Sequence, residues 1–87
     1  MSTIHQKFML TVLRLEQHYY ISRDKGNTTE RLGQYIVNHF NNEKIYECYK
    51  DIIEVKCKDK WDKLFYEESY EEVFKLLEEI CNEYRND

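Results

Sequence analysis

The sequence predicts an all-α fold, a small bundle of about four helices in a single domain spanning residues 1–87. Three observations carry this. There is no proline and there are only two glycines, Gly26 and Gly33, so helix breakers are few among many Glu, Lys and Leu residues. Apolar residues recur at three- and four-residue steps, the period of a helix with one buried face. Two polar-x-x-Glu patterns, Asn27–Glu30 and Ser69–Glu72, read as capping boxes at helix starts.

The first helix runs from about Thr3 to Ser22, with Ser2 or Thr3 as its cap and Ile4, Phe8, Val12, Leu15 and Tyr19 as its buried stripe. Met9, Leu13 and Tyr20 widen that stripe, so this helix is open to cover on more than one side. Arg23-Asp24-Lys25-Gly26-Asn27 is the clearest break, because Gly26 can take a positive φ. The second helix is expected from Thr28 to about Phe40, with Leu32, Ile36 and Phe40 inward and Tyr35 and Val37 flanking. Gly33 lies inside it at a cost of about 1 kcal/mol against alanine, which either permits close helix approach or is simply tolerated.

After the turn at Asn41-Asn42, Glu43 to about Lys56 carries Ile45, Tyr49, Ile52 and Ile53 at helical spacing. Val55 and Cys57 alternate with Lys56 and Lys58, so the end of this segment reads equally as extended chain. From Lys58 to Glu68, Trp61, Leu64 and Phe65 are apolar anchors in a charged background, in a short helix or an ordered loop. The last helix begins at the Ser69 box and runs from Tyr70 to about Arg85, with Val73, Leu76, Leu77, Ile80 and Tyr84 inward. Four such helices with short connections make an α-helical bundle.

Charge is spread unevenly. The chain has a net charge of −4. Residues 1–42 sum to +2, residues 43–64 cancel, and residues 65–87 sum to −6. An acidic total argues against non-specific nucleic-acid binding, which requires phosphate neutralisation. An 87-residue domain buries a modest core and gains from a partner subunit, which leaves a homodimer open. No apolar run approaches the roughly 20 residues that span a bilayer. The N-terminus lacks the apolar stretch of a secretory signal. Cys48, Cys57 and Cys81 form an odd set with no C-x-x-C pair, which reads as reduced thiols in a cytoplasm.

Little points to catalysis. His5, His18 and His39 share no metal-ligand spacing with one another or with a cysteine, and read as surface or core-edge residues. A cysteine nucleophile with a distant histidine would need a pocket and an oxyanion site in a very short chain. Glycine-rich phosphate loops are absent. No cofactor and no metal ligand set is expected.

The carboxylates of the last third are the richest feature. Glu67, Glu68, Glu71, Glu72, Glu78, Glu79, Glu83 and Asp87 are opposed only by Lys75 and Arg85. A calcium site would need ligands converging from a loop, and the D-x-D-x-D-G pattern is missing. A second reading is phosphate mimicry, an acidic ridge of Glu71, Glu72, Glu78, Glu79 and Glu83 that fits a basic groove. A solvated helix face accounts for the same residues. Glu67/Glu71 and Glu68/Glu72 repel at i,i+4, relieved only in part by Lys75, which favours a use for them. Tyr66 and Tyr70 stand beside them, and tyrosine is enriched at binding hot spots. Tyr46 is open to the same reading or to a place at the rim, and the other aromatics read as core or rim, with Trp61 and Phe65 filling the interior. A helix-turn-helix over Thr28–Phe40 and Glu43–Ile53 has suitable lengths, but its second helix would open with acidic residues facing phosphates.

Arg31-Leu32-Gly33-Gln34 followed by Asn38, and later Leu64-Phe65-Tyr66-Glu67-Glu68, resembles a pattern in short, uncharacterised proteins of bacteriophages and related mobile elements. There an R-x-G-Q-x-x-x-N helix precedes an aromatic–acidic segment and a final helix. The resemblance covers about the C-terminal two-thirds and brings no active site. It implies a small accessory protein in the cytoplasm of a bacterial host, one that binds a host protein, in the manner of anti-defence (anti-CRISPR-like) inhibitors.

The expected function is thus a non-catalytic protein-binding module, not an enzyme. It would contact a host protein with a basic surface through Glu67, Glu68, Glu71, Glu72, Glu78, Glu79, Glu83, Tyr66 and Tyr70. The rival reading is a nucleic-acid-binding transcriptional regulator using Arg14, Arg23, Lys25 and Arg31. A self-associating structural subunit is the third.

Overall fold

Residues 3–84 are described by a computed structural model, and they form five α-helices joined by short turns, with one π-helical turn and no strand among the described residues. Ser2, Arg85 and Asp87 lie outside the described residues. The helices are α1 (Ile4–Asp24), α2 (Leu32–Phe40), α3 (Tyr46–Asp51), α4 (Lys58–Tyr66) and α5 (Tyr70–Asn82). The all-α bundle predicted from the periodicity is the observed fold, with five helices where about four were expected.

Thr3 caps α1: its hydroxyl accepts the Gln6 amide, and the Gln6 side chain accepts the Thr3 amide in return. The helix stops at Gly26, whose φ is +73°. The Asn27 amide reaches back to the Ser22 carbonyl and the Gly26 amide to that of Arg23, a Schellman closure that needs a left-handed residue. Phe8, Val12, Leu15 and Tyr19 are the buried stripe, as the spacing predicts. Leu10, Leu13, Tyr20 and Ile21 stay exposed on the other sides of α1.

The second helix begins later than the sequence predicts. Residues 27–31 form no regular secondary structure and α2 starts at Leu32, so the expected Asn27–Glu30 box is not formed. Adjacent β-branched Thr28 and Thr29 are poor helix starters. The Tyr19 hydroxyl donates to the Glu30 carbonyl at 2.9 Å and holds that segment against α1. The Glu30 carboxylate accepts from Thr28 and from the Asn38 amide instead of capping. Gly33 then does permit close approach. A Cβ at that position would overlap the Leu64 carbonyl oxygen and lie 3.4 Å from Val73 Cγ2.

The third segment is not one helix. Residues 43–45 form a turn, α3 lasts six residues, and residues Ile52–Lys56 widen into a π-helical turn closed by the Cys57 amide on the Ile52 carbonyl at 2.6 Å. The extended alternative for Val55–Cys57 is thereby excluded. The wide turn keeps both Ile53 and Cys57 in the core and leaves Val55 77% exposed. The Tyr46 hydroxyl donates to Glu54 across the junction. Residues 58–66 are a helix, not a loop, with Trp61 and Leu64 buried.

One core joins the helices. Phe8 packs on Phe40 and Tyr49, and Phe40 on Trp61, with ring centroids 4.5–5.6 Å apart. Val73, Leu76, Leu77, Ile80 and Cys81 of α5 close the core from the opposite side. The Tyr49 hydroxyl donates to the Cys81 carbonyl at 2.9 Å. His5 Nε2 donates to the Tyr84 carbonyl at 2.8 Å, tying the start of α1 to the end of α5.

Candidate protein-docking surface

The Leu64–Glu68 segment is built by the end of α4. The last carbonyls of a helix lack partners of their own, and the Phe65 carbonyl accepts from Arg31 Nη2 at 3.2 Å. Glu67 then turns extended, and its carboxylate accepts the Ser69 amide at 3.1 Å. Ser69 caps α5 by accepting the Glu72 amide at 3.4 Å. The result is a tight corner between α4 and α5 with Tyr66 on its outside. That ring is 71% exposed, supported on one side only by Phe65 at 5.1 Å. Phe65 itself is half-buried at the edge of the molecule and does not belong to the core, which corrects the interior position expected for it; Trp61 is in the core.

Tyr70, in the first turn of α5, sits beside Tyr20 of α1 at 6.1 Å and accepts a hydrogen bond from Arg23 at 3.0 Å. It is 39% exposed. Tyr66 and Tyr70 are therefore both at the surface near the corner, as expected of contact residues, whereas Tyr46 is half-buried and engaged with Glu54.

The carboxylates divide into two groups. Glu79 pairs with Lys60 at 3.7 Å, and Glu83 with Lys56 at 2.9 Å, both across to the lysines of the preceding helical segment. Glu68, Glu71 and Glu78 are exposed and make no ion pair with the described residues. Glu71 and Glu72 occupy the first turn of α5, where the helix dipole favours negative charge. The continuous five-glutamate ridge is thus corrected: two of its members are neutralised by lysines. The expected i,i+4 repulsion of Glu67 with Glu71 and of Glu68 with Glu72 also falls away, because Glu67 and Glu68 precede the helix.

The basic residues of the rival reading are mostly engaged by other residues of the chain. Arg14 pairs with Glu43, Arg23 donates to two tyrosine hydroxyls, and Arg31 donates to Phe65. The second helix of the supposed helix-turn-helix is six residues long and buries Tyr49.

The cysteines divide as well. Cys57 and Cys81 are buried, and burial pushes both thiols above their ordinary range, which keeps them protonated. Cys48 is exposed. No group of three or more His, Cys, Asp or Glu side chains converges as a metal would require among the described residues. No helix among them is long and apolar enough to cross a membrane.

The two segments that carry the phage resemblance meet in space. Arg31 caps the end of α4, Gly33 packs on Leu64, the Gln34 side chain accepts the Arg31 amide at 3.4 Å, and Asn38 holds Glu30. Their shared residues form a joint between α2 and the α4–α5 corner, which is a folding role. The exposure of Leu10, Leu13 and Ile21 was missed. Their positions at 10, 13 and 21 trace a second, weaker stripe on α1.

No family model, no curated protein and no solved structure matches this chain.

Proposed function

We propose that this chain is a non-catalytic protein-binding module, an accessory protein of a phage or mobile element that docks its α4–α5 corner on a basic surface of a host protein and inhibits it by occlusion. One observation carries the reading: an exposed aromatic, Tyr66, stands at a corner followed in sequence by Glu68 and Glu71, with Glu78 further along α5, and none of the three makes an ion pair with the described residues. Unpaired carboxylates steer association with a cationic surface, and a tyrosine supplies contact area at low entropic cost. The buried, protonated state of Cys57 and Cys81 adds support, since neither thiol is poised as a nucleophile. The host context rests on the resemblance of the Arg31–Asn38 and Leu64–Glu68 segments to phage proteins.

Capture from a bacterial lysate tests this, with the wild-type chain and the triple variant Glu68→Lys, Glu71→Lys, Glu78→Lys immobilised in parallel. All three side chains are exposed, so the variant keeps the fold, as its circular dichroism should record. The wild type is expected to retain a protein that is released as salt rises from about 0.1 M towards 0.5 M, where screening is short-ranged. The triple variant is expected to lose it, and Tyr66→Ala to hold it more weakly. An identical set of captured proteins from all three chains would overturn the reading.

A further inference from the structure

Residues of the 27–31 connection wall an open groove of about 760 Å³, lined by Tyr19, Arg23, Thr28, Thr29, Glu30, Arg31, Glu68 and Tyr70. Arg23 and Arg31 both line it, and neither pairs with a carboxylate among the described residues. Arg23 makes hydrogen bonds only to the neutral hydroxyls of Tyr19 and Tyr70, which hold its guanidinium in place without offsetting its charge. Arg31 is half-buried and makes one side-chain hydrogen bond, to the Phe65 carbonyl. Its Nε–H is buried with no acceptor at all. A guanidinium presents five donors, and a charge drawn out of water normally recovers its lost hydration through a counter-ion. Such a cation in a chain of net charge −4 is short of an anion, not of a place to find one.

The nearest carboxylates do not fill that role. Glu30 accepts from Asn38 and Thr28, and Glu68 stands at the rim without an ion pair. The hydroxyls of Thr29 and Tyr70 add neutral donors to the same wall. Two guanidinium groups and two hydroxyls lining one groove offer more donors than a carboxylate can accept, and match the several oxygens of a tetrahedral oxyanion. We propose that this groove is a phosphate-binding site, in which Arg23 and Arg31 hold a phosphoryl group and Thr29 and Tyr70 complete its hydrogen bonds. The site stands apart from the docking corner except at Glu68 and Tyr70, and does not depend on the reading above.

The test is a titration of the isotopically labelled chain with inorganic phosphate, followed by amide NMR and compared with sodium chloride at matched ionic strength. Saturable shifts are expected at Thr28, Thr29, Glu30 and Arg31, with half-saturation on the order of millimolar. Arg31→Gln removes a helix cap as well as a ligand, so Arg23→Gln, at an exposed guanidinium, is the informative variant. It is expected to weaken binding about tenfold, the loss of one charge-assisted hydrogen bond. Glu68→Gln removes a repelling charge from the rim and is expected to tighten binding. A parallel titration with phenyl phosphate separates free phosphate from a phosphoryl group carried on a larger molecule. Saturation by either supports the site, and the tighter of the two identifies its source. Shifts that chloride reproduces, that fail to saturate, or that are unchanged in Arg23→Gln would overturn the proposal.

Discussion

Gly33 lies against the Leu64 carbonyl so closely that a single methyl group on it would overlap the oxygen. The obstacle is backbone, which cannot swing aside as a side chain would. Gly33→Ala therefore forces α2 and α4 apart and pulls Arg31 from its hold on Phe65. Alanine would gain about 1 kcal/mol in helix propensity, but overpacking against a helix backbone belongs at the upper end of the usual 1–3 kcal/mol loss or above it. The expected result is a net destabilisation of about 2 kcal/mol, seen as a melting temperature lower by roughly 10 °C. Gly26→Ala is the comparison: its Cβ would meet nothing within 4 Å, and its loss of about 1 kcal/mol comes from the positive φ alone.

Stability should fall in alkaline solution, and Tyr49 should be a principal cause. Its phenol is fully buried, and burial, followed by its hydrogen bond to Cys81, pushes its pKa far above the ordinary 10.0. Burial likewise raises Tyr19, Tyr20 and Tyr46, and the thiols of Cys57 and Cys81 above their ordinary 9.0. Above those ordinary values the unfolded chain has released protons that the folded one retains, so the free energy of unfolding decreases with rising pH. It is level below pH 9 and declines beyond it. Urea midpoints between pH 7 and 11 measure this. Tyr49→Phe should lose about 1 kcal/mol at pH 7 and flatten the alkaline decline.

Thiol titration with an aromatic disulfide should find one fast thiol in the native protein and three after unfolding. Cys48 is exposed, whereas Cys57 and Cys81 are buried and held protonated. Cys48→Ser should abolish the fast phase and leave the other two waiting on unfolding. Fast labelling of either remaining thiol in that variant would contradict the burial.

The caps differ in consequence. Ser69→Ala removes the side chain that accepts the Glu72 amide and sets the α4–α5 corner. Thr3→Ala removes the corresponding acceptor at the start of α1. Each should lose about 1 kcal/mol of stability. Amide exchange should quicken at Glu72 in the first variant and at Gln6 in the second, with little effect at the other end.

The helices with one strict stripe were legible from sequence: α1 from Phe8, Val12, Leu15 and Tyr19, and α5 from Val73 to Cys81 behind its Ser69 cap. The start of α2 was not, because Asn27–Glu30 has the spacing of a cap while a tertiary bond from Tyr19 to Glu30 decides the conformation. Nor was the π-helical turn that ends α3, since Val55 and Cys57 alternate with Lys56 and Lys58 as an extended chain would, although the boundary before Lys58 was in place. The candidate surface was half legible. The acidic character of the last helix follows from composition, but its division into paired Glu79 and Glu83 and, among the described residues, unpaired Glu68, Glu71 and Glu78 depends on lysines about twenty to thirty residues earlier in sequence.

The wide turn at Ile52–Lys56 also bears on how such a chain can change in length. A π-helical turn holds one more residue than the α-helix it interrupts, and Val55 is the member most given over to solvent. Deleting Val55 would leave Ile53 and Cys57 three positions apart, still on one face of an ordinary helix. One-residue gaps between this protein and its kin should therefore collect at that turn, while the tightly seated stretch around Gly33 should tolerate neither insertion nor loss.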